Sequence, residues 1–252
     1  MKDLSQHPCF NAEAKHKYAR VHLPVAPKCN IQCNYCNRKY DCCNESRPGV
    51  TSTVLSPLQS VHYMKALSEK IPNISVVGIA GPGDPFANAE ETLQTMRLAQ
   101  KEFPDLIFCL SSNGLDLAPY IDEIAEIGVS HVTITVNSLN PETLAKIYRW
   151  VRYKRRVYRG EEGGKVLLEQ QLYCIQKLKE KNITVKINTV ICPGINDHEI
   201  EDLAKKVSEL GADTMNCIPM YPTENTEFEI LKEPSKEMMK DIKARISKYI
   251  KP

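Results

Sequence analysis

The sequence predicts an α/β fold, a partial (βα)6 barrel behind an irregular N-terminal arm. Three observations predict it: six short β-branched runs, helix-period segments between them, and helix start and stop residues at the joins. Residues 1–17 read as the arm, about 18–220 as the barrel and about 221–252 as a C-terminal extension. All three belong to one domain, the usual organisation of a barrel of 252 residues.

The first run, Tyr18–Val25, follows the arm, and Ser75–Ala80, Leu106–Leu110, His131–Val136, Thr184–Ile191 and Thr214–Pro219 succeed it. Between them apolar residues recur three or four apart, as in Ile121, Ile124 and Ile127 or Leu168, Leu172, Ile175 and Leu178. Ser56 before Pro57, Asn88 with Glu91, Asn140 before Pro141 and Asp197 before Ile200 are predicted helix starts, and Gly128 and Gly211 predicted stops. Six such units demand a parallel sheet with right-handed crossovers, and reactive groups in such folds gather on loops after the strand C-termini. The Arg-rich, aromatic segment Tyr148–Arg159 falls outside the repeat. It reads as a lid over an anionic ligand, a docking face, or a solvated basic helix start or loop, with a flexible turn at Glu161–Gly164 after it.

Lys and Arg number 33 against 31 Asp and Glu, so the whole chain lacks the charge excess that draws proteins to nucleic acid or membrane. The N-terminus has no signal-peptide core, and no stretch approaches the roughly 20 apolar residues of a membrane span. A cytoplasmic protein is expected, with neither nucleic acid nor membrane as partner. There, thiols stay reduced, and ten cysteines point to metal or cluster ligation rather than disulfides.

The strongest local signal is Cys29-Asn30-Ile31-Gln32-Cys33-Asn34-Tyr35-Cys36, a CxxxCxxC loop directly after the first strand. Three thiolates can hold three irons of a cubane and leave the fourth open, whereas a closed zinc site wants four protein ligands. Gly81-Pro82-Gly83-Asp84-Pro85 follows the second strand, and its glycines permit close backbone approach. Ser111, Ser112 and Asn113, Asn137, and Asn188 stand at or near later strand ends, placed to hydrogen-bond a ligand or to satisfy their own loops.

This arrangement resembles the radical SAM superfamily. The resemblance implies a [4Fe–4S] cluster on Cys29, Cys33 and Cys36, with S-adenosylmethionine (SAM) chelating the open iron and cleaved by one electron to a 5′-deoxyadenosyl radical. It implies SAM contacts from Tyr35, Gly81, Gly83, Asp84, Ser111, Asn113, Asn137 and Asn188. Other donors remain: Cys9, Cys42, Cys43, Cys109 and His22, which suggest a further cluster.

The stretch from His7 to Val50 is similar to the NifB family of nitrogenase cofactor biosynthesis proteins, as are AGPGDPFAN, LSSNGL and VKINTVICPGIN. That resemblance implies fusion of two further [4Fe–4S] precursor clusters into an eight-iron core with a SAM-derived carbide. It assigns His22, Cys42 and Cys109 to one precursor, Cys9 to the second, and Glu45 to the open iron before SAM binds. His22 as a core histidine and Glu45 as a plain loop carboxylate are the alternatives. Expected partners are cluster-delivery proteins, a reductant such as ferredoxin, and a carrier or scaffold protein as acceptor. The family carries a further cysteine pair near the end of its core, and this chain reaches Lys251-Pro252 without it, so either the C-terminal extension is truncated or the second precursor cluster is held differently. Cys43, Cys174, Cys192 and Cys217 are expected to be structural thiols. A radical SAM enzyme acting on a peptide or small molecule with electron-transfer clusters, and a non-catalytic cluster scaffold, are the competing classes.

Overall fold

The structure, a computed structural model, describes residues 4–8, 13–44 and 53–252. The strands in chain order are β1 (Ala19–His22), β2 (Ile31–Cys33), β3 (Ile74–Ile79), β4 (Ile107–Ser112), β5 (Val129–Thr135), β6 (Tyr148–Tyr153), β7 (Arg156–Tyr158), β8 (Thr184–Ile191) and β9 (Thr214–Pro219). The α-helices are α1 (Pro57–Lys70), α2 (Ala89–Glu102), α3 (Ile121–Ile127), α4 (Pro141–Ile147), α5 (Gly160–Glu180), α6 (Ile200–Glu209) and α7 (Lys236–Ile246).

Six strands form one parallel sheet in the order β1-β3-β4-β5-β8-β9, and it curls into a half-barrel. Successive side chains of a strand point to opposite faces. Val77, Ile79, Phe108, Leu110, Val132, Ile134, Val185 and Ile187 therefore share one face, where they pack with helix residues such as Met64, Met96, Ile124 and Leu203 into the main core. Gly78, Cys109, Ser111, His131, Thr133, Lys186 and Asn188 lie out of phase with them and face the concave interior. The core residues carry most of the stability, at roughly 1.5–3 kcal/mol for each fully buried large aliphatic side chain.

Ser56 caps α1 in a reciprocal box with Gln59, Asn140 Oδ1 accepts from Glu142 N at 2.9 Å, and Gly128 ends α3 at φ 87°. Two predicted starts are corrected. Asn88 precedes α2, but its side chain makes no cap because Lys28 and Asp84 occupy it. Asp197 accepts instead from Gly194 N, and Glu199 stands at the start of α6 with its carboxylate taking the hydroxyls of Ser138 and Thr143.

The Tyr148–Arg159 segment is neither helix nor loop. It is a β6–β7 hairpin, whose first strand pairs antiparallel with β2 at Ile31↔Val151, Gln32↔Trp150 and Cys33↔Tyr148. Lys154 and Arg155 form its turn at φ 47° and 65°, a left-handed conformation costing about 1–2 kcal/mol per residue that Asn-Gly would adopt more easily. The predicted flexible turn at 161–164 is the first turn of α5, where Gly164 lets the helix pack on α4. In the arm, Gln6 O accepts from Ser75 Oγ at 2.9 Å and the His7 ring meets His131 at a 45° tilt with centroids 4.4 Å apart, so residues 4–8 cross beneath the early ends of β3 and β5. The extension closes the far edge, with Ile242, Ile246 and Ile250 buried and Met215 N donating to Lys251 O at 2.9 Å.

Candidate functional site

The chain leaving β1 turns over the C-terminal ends of β3 and β4 because the next loop holds it there. Gly83 N donates to Ala26 O at 2.6 Å, and Asp84 N to Lys28 O at 2.8 Å. A Cβ on Gly83 would stand 2.1 Å from the Lys28 carbonyl oxygen, so only glycine permits this approach. Asn88 closes the clamp by accepting from Lys28 N and donating to Lys28 O and Asp84 O.

Cys29, Cys33 and Cys36 line a pocket at the barrel mouth, together with Ile31, Arg38, Cys42, Cys43, Asn44, Ala80, Gly83, Asp84, Ser111–Asn113 and Thr135. Among the described residues no three His, Cys, Asp or Glu converge on a point as one metal ion would require. A cubane needs the opposite, since each thiolate binds a different iron. Three thiols spread around one pocket, with polar backbone beside them, fit a [4Fe–4S] cluster.

Burial pushes the Cys29 thiol up to about 12, with Asp84 adding to the effect, and pushes Cys33 upward as well. Cys36 is the acidic member, drawn down to about 7 chiefly by a hydrogen bond from Cys43. Cluster assembly must therefore displace protons from at least two thiols at neutral pH.

Asp84 is spent internally. Its carboxylate is buried, which raises its pKa, and it accepts from Asn113 N at 2.7 Å, Phe86 N at 2.9 Å and Ser112 Oγ at 3.1 Å. It braces the β4 loop against the glycine loop. Asn113 in turn donates to Asn30 Oδ1 at 2.6 Å and approaches Cys29 Sγ at 4.0 Å, while Asn30 donates to Asp116 at 2.8 Å.

Tyr35, Asn137 and Asn188 stand behind the cavity. Tyr35 is 2% exposed, its hydroxyl donating to Asn44 Oδ1 at 3.0 Å and accepting from Asn137 Nδ2 at 2.9 Å. Asn137 also binds the Tyr148 hydroxyl and accepts from Val190 N, and Asn188 donates to Asn44 O at 2.5 Å. These residues orient the loop from β2 onward, and Gly81 supplies the backbone turn beneath Cys42.

His22, Gly78, Cys109 and His131 stand in register across β1, β3, β4 and β5. A Cβ on Gly78 would meet Cys109 Sγ at 2.5 Å and His22 Cδ2 at 3.3 Å, so the missing side chain is what lets imidazole and thiol flank one spot on the interior wall. Cys42 joins the first cavity, beside Cys29 and Cys36. Cys9 and Glu45 lie outside the described residues. Of the thiols expected to be structural, Cys174 and Cys192 are buried in the two cores, but Cys43 lines the cavity and bonds Cys36.

Sequence reasoning missed Asn30, Arg38 and Asp116 as polar supports of the cysteine loop, and gave Cys43 and Asn88 other roles. It also missed His7, His131 and Lys186, which surround the His22–Cys109 pair. Desolvation holds His7 at about 3 and His131 at about 4, with Lys186 pushing both the same way.

A half-barrel of parallel strands whose first loop gathers three cysteines over a glycine clamp defines a SAM-cleaving iron–sulfur core. Residues 23–207 match the model of the Radical SAM superfamily, and the chain belongs to that superfamily. It is similar to the FeMo cofactor biosynthesis protein NifB of Chlorobaculum tepidum, at 51% identity over 98% of this chain and 58% of that one. It is also similar to NifB of Klebsiella pneumoniae, at 46% over 90% and 49%, and of Azotobacter vinelandii, at 44% over 95% and 48%. The chain thus spans about half the length of these curated relatives. Among solved structures, methylornithine synthase (PylB) superposes with a TM-score of 0.65 at 15% identity, over 94% of this chain and 64% of that one. The protein anSMEcpe with bound AdoMet and the Cp18Cys peptide gives 0.58 at 14%, over 90% and 57%, and both share the fold. Membership implies a [4Fe–4S] cluster and SAM. Among the described residues no helix is long and apolar enough to cross a membrane.

Proposed function

We propose that this chain is the SAM-cleaving core of a nitrogenase-cofactor biosynthesis enzyme. In this reading it fuses two [4Fe–4S] clusters around a SAM-derived carbide to make the eight-iron core precursor. The observation that carries the reading is the second donor set, His22 and Cys109 flanking Gly78 inside the same half-barrel whose mouth holds Cys29, Cys33 and Cys36.

When bound at that triad, a [4Fe–4S] cluster supplies the electron that cleaves SAM. The chain's own residues position and enclose. Gly83 and Asp84 fix the backbone wall of the cavity, Asn113 directs its amide toward the Cys29 sulfur, and the Tyr35–Asn137–Asn44 network keeps the loop rigid. Hydrogen bonds to cluster sulfurs tune reduction potential, which gives the Asn113 amide a function beyond packing. His22 and Cys109 hold one substrate cluster. A neutral imidazole is a weaker, protonatable ligand than thiolate and suits a cargo that must later leave. Cluster-delivery proteins, a reductant, and a carrier or scaffold acceptor complete the scheme.

The test is anaerobic reconstitution with iron and sulfide, followed by dithionite and methyl-labelled SAM. The reading predicts both S-adenosylhomocysteine and 5′-deoxyadenosine, with label entering an acid-labile cluster product. Formation of 5′-deoxyadenosine alone, from a chain holding a single cluster, would contradict it.

A further inference from the structure

The β6–β7 hairpin is unexplained by the chemistry above. Residues 148–159 hold six cations and no acid, more positive charge than the net +2 of the whole chain. All six cationic side chains are exposed. Arg149 reaches Glu227 and Arg156 reaches Glu162, whereas Arg152, Lys154, Arg155 and Arg159 have no ion pair among the described residues. The turn holds Lys154 and Arg155 at its tip in a left-handed conformation that Asn-Gly would adopt with less strain. Tyr153 and Tyr158 lie under Lys154 and Arg156 and stiffen the face by cation–π contact.

This charge sits against the cysteine loop. β6 pairs with β2 at Cys33↔Tyr148, and Arg152 N donates to Asn30 O at 2.8 Å. A polar pocket lined by Gln32, Cys33, Asn34, Cys36, Arg149 and the Asn225–Glu227 turn opens onto the loop beside the hairpin. A partner on this face approaches the triad from behind and leaves the barrel mouth open to SAM.

We propose that the cationic face of the β6–β7 hairpin docks a small acidic iron–sulfur protein that delivers the reducing electron. One electron leaves the reduced cluster of the donor and enters the centre at Cys29, Cys33 and Cys36; the donor is oxidised and the centre reduced by one. The proposal rests on the SAM-cleaving reading. Charge complementarity selects this occupant, because clustered cations steer an acidic partner and raise its association rate.

The experiment uses the reconstituted chain, a reduced ferredoxin of net negative charge as probe, and two variants: Lys154→Asn with Arg155→Gly, which favours the turn, and Arg152→Gln with Arg159→Gln. Stopped-flow absorbance reads the second-order rate of electron transfer. The wild-type rate is expected to fall steeply with salt. Each variant is expected to lose about 10-fold at low salt and most of the salt dependence, a magnitude typical of lost steering. Dithionite-driven 5′-deoxyadenosine formation should be unchanged in both. Trp150, the chain's single tryptophan, lies on β6, so ferredoxin should also alter its emission in the unloaded wild-type chain and not in the variants. Variant rates and salt slopes equal to wild type would overturn the docking proposal. A wild-type chain that fails to cleave SAM even with dithionite would contradict the functional reading instead.

Discussion

The barrel mouth and the barrel interior are built on different plans. At the mouth, three thiols come from eight consecutive residues, and their arrangement is imposed by distant side chains: Asn88, Asp84 through Asn113, and Asp116 through Asn30. In the interior, His22, Cys109 and His131 come from three strands, and sheet register alone aligns them around Gly78. The mouth is a local motif with remote support, while the interior site is remote in sequence and needs a gap at one glycine.

The plans predict different failures. The largest effect is expected for Cys33→Ala, which should abolish dithionite-driven 5′-deoxyadenosine formation, a loss of at least about 100-fold, while leaving the His22–Cys109 pair able to take up iron. Product analysis and iron counts check both halves. Gly83→Ala comes next. Its Cβ would overlap the Lys28 backbone at 2.1 Å, which no rotamer relieves. It should cost about 3 kcal/mol or more, the upper part of the overpacking range, and lower SAM cleavage and thermal stability together. Gly78→Ala should cost about 1–3 kcal/mol, because the Cys109 side chain it meets at 2.5 Å can move. It should deplete the interior site of iron while SAM cleavage persists, and calorimetry with iron analysis separates the two outcomes.

A smaller effect is expected from pH. His7 and His131 have folded values near 3 and 4, below the ordinary 6.5, because both are buried. The unfolded chain therefore binds more protons across that window. The stability these groups contribute is present above about pH 6.5 and falls by up to about 1.4 kcal/mol per pH unit for each histidine down to about pH 4. Denaturant unfolding at pH 7.5 and pH 5 checks it. His131→Gln should flatten the dependence by about half.

The same contrast separates what the sequence makes legible from what only tertiary contact decides. Thr184–Ile191 and Thr214–Pro219 are both legible to the residue as strands, the first as a run buried at every position but its first, the second as an edge strand on which only Met215 is buried. The β6–β7 hairpin is not. A bulge opposite Gln32 and Cys33 sets the buried positions three apart, at Tyr148 and Val151, and the Lys-Arg turn carries no Asn or Gly signal. The cysteine triad was legible because its spacing lies within one loop. In sequence Asn88 reads as a cap because capping and loop-clamping use the same side chain, and only tertiary contact decides between them. Cys43 was set aside for lack of a spacing rule, yet it tunes Cys36 directly. His22 and Cys109 were paired from their strands, but their meeting at Gly78 needed the register.

On the proposed function, one half-barrel carries two separable iron sites. The most direct test compares iron content and 5′-deoxyadenosine yield for the reconstituted wild-type chain and the His22→Ala, Cys109→Ser double variant. The double variant is expected to lose about four irons per chain and to retain dithionite-driven SAM cleavage. Equal iron content in the two proteins, or loss of SAM cleavage along with the iron, would contradict it.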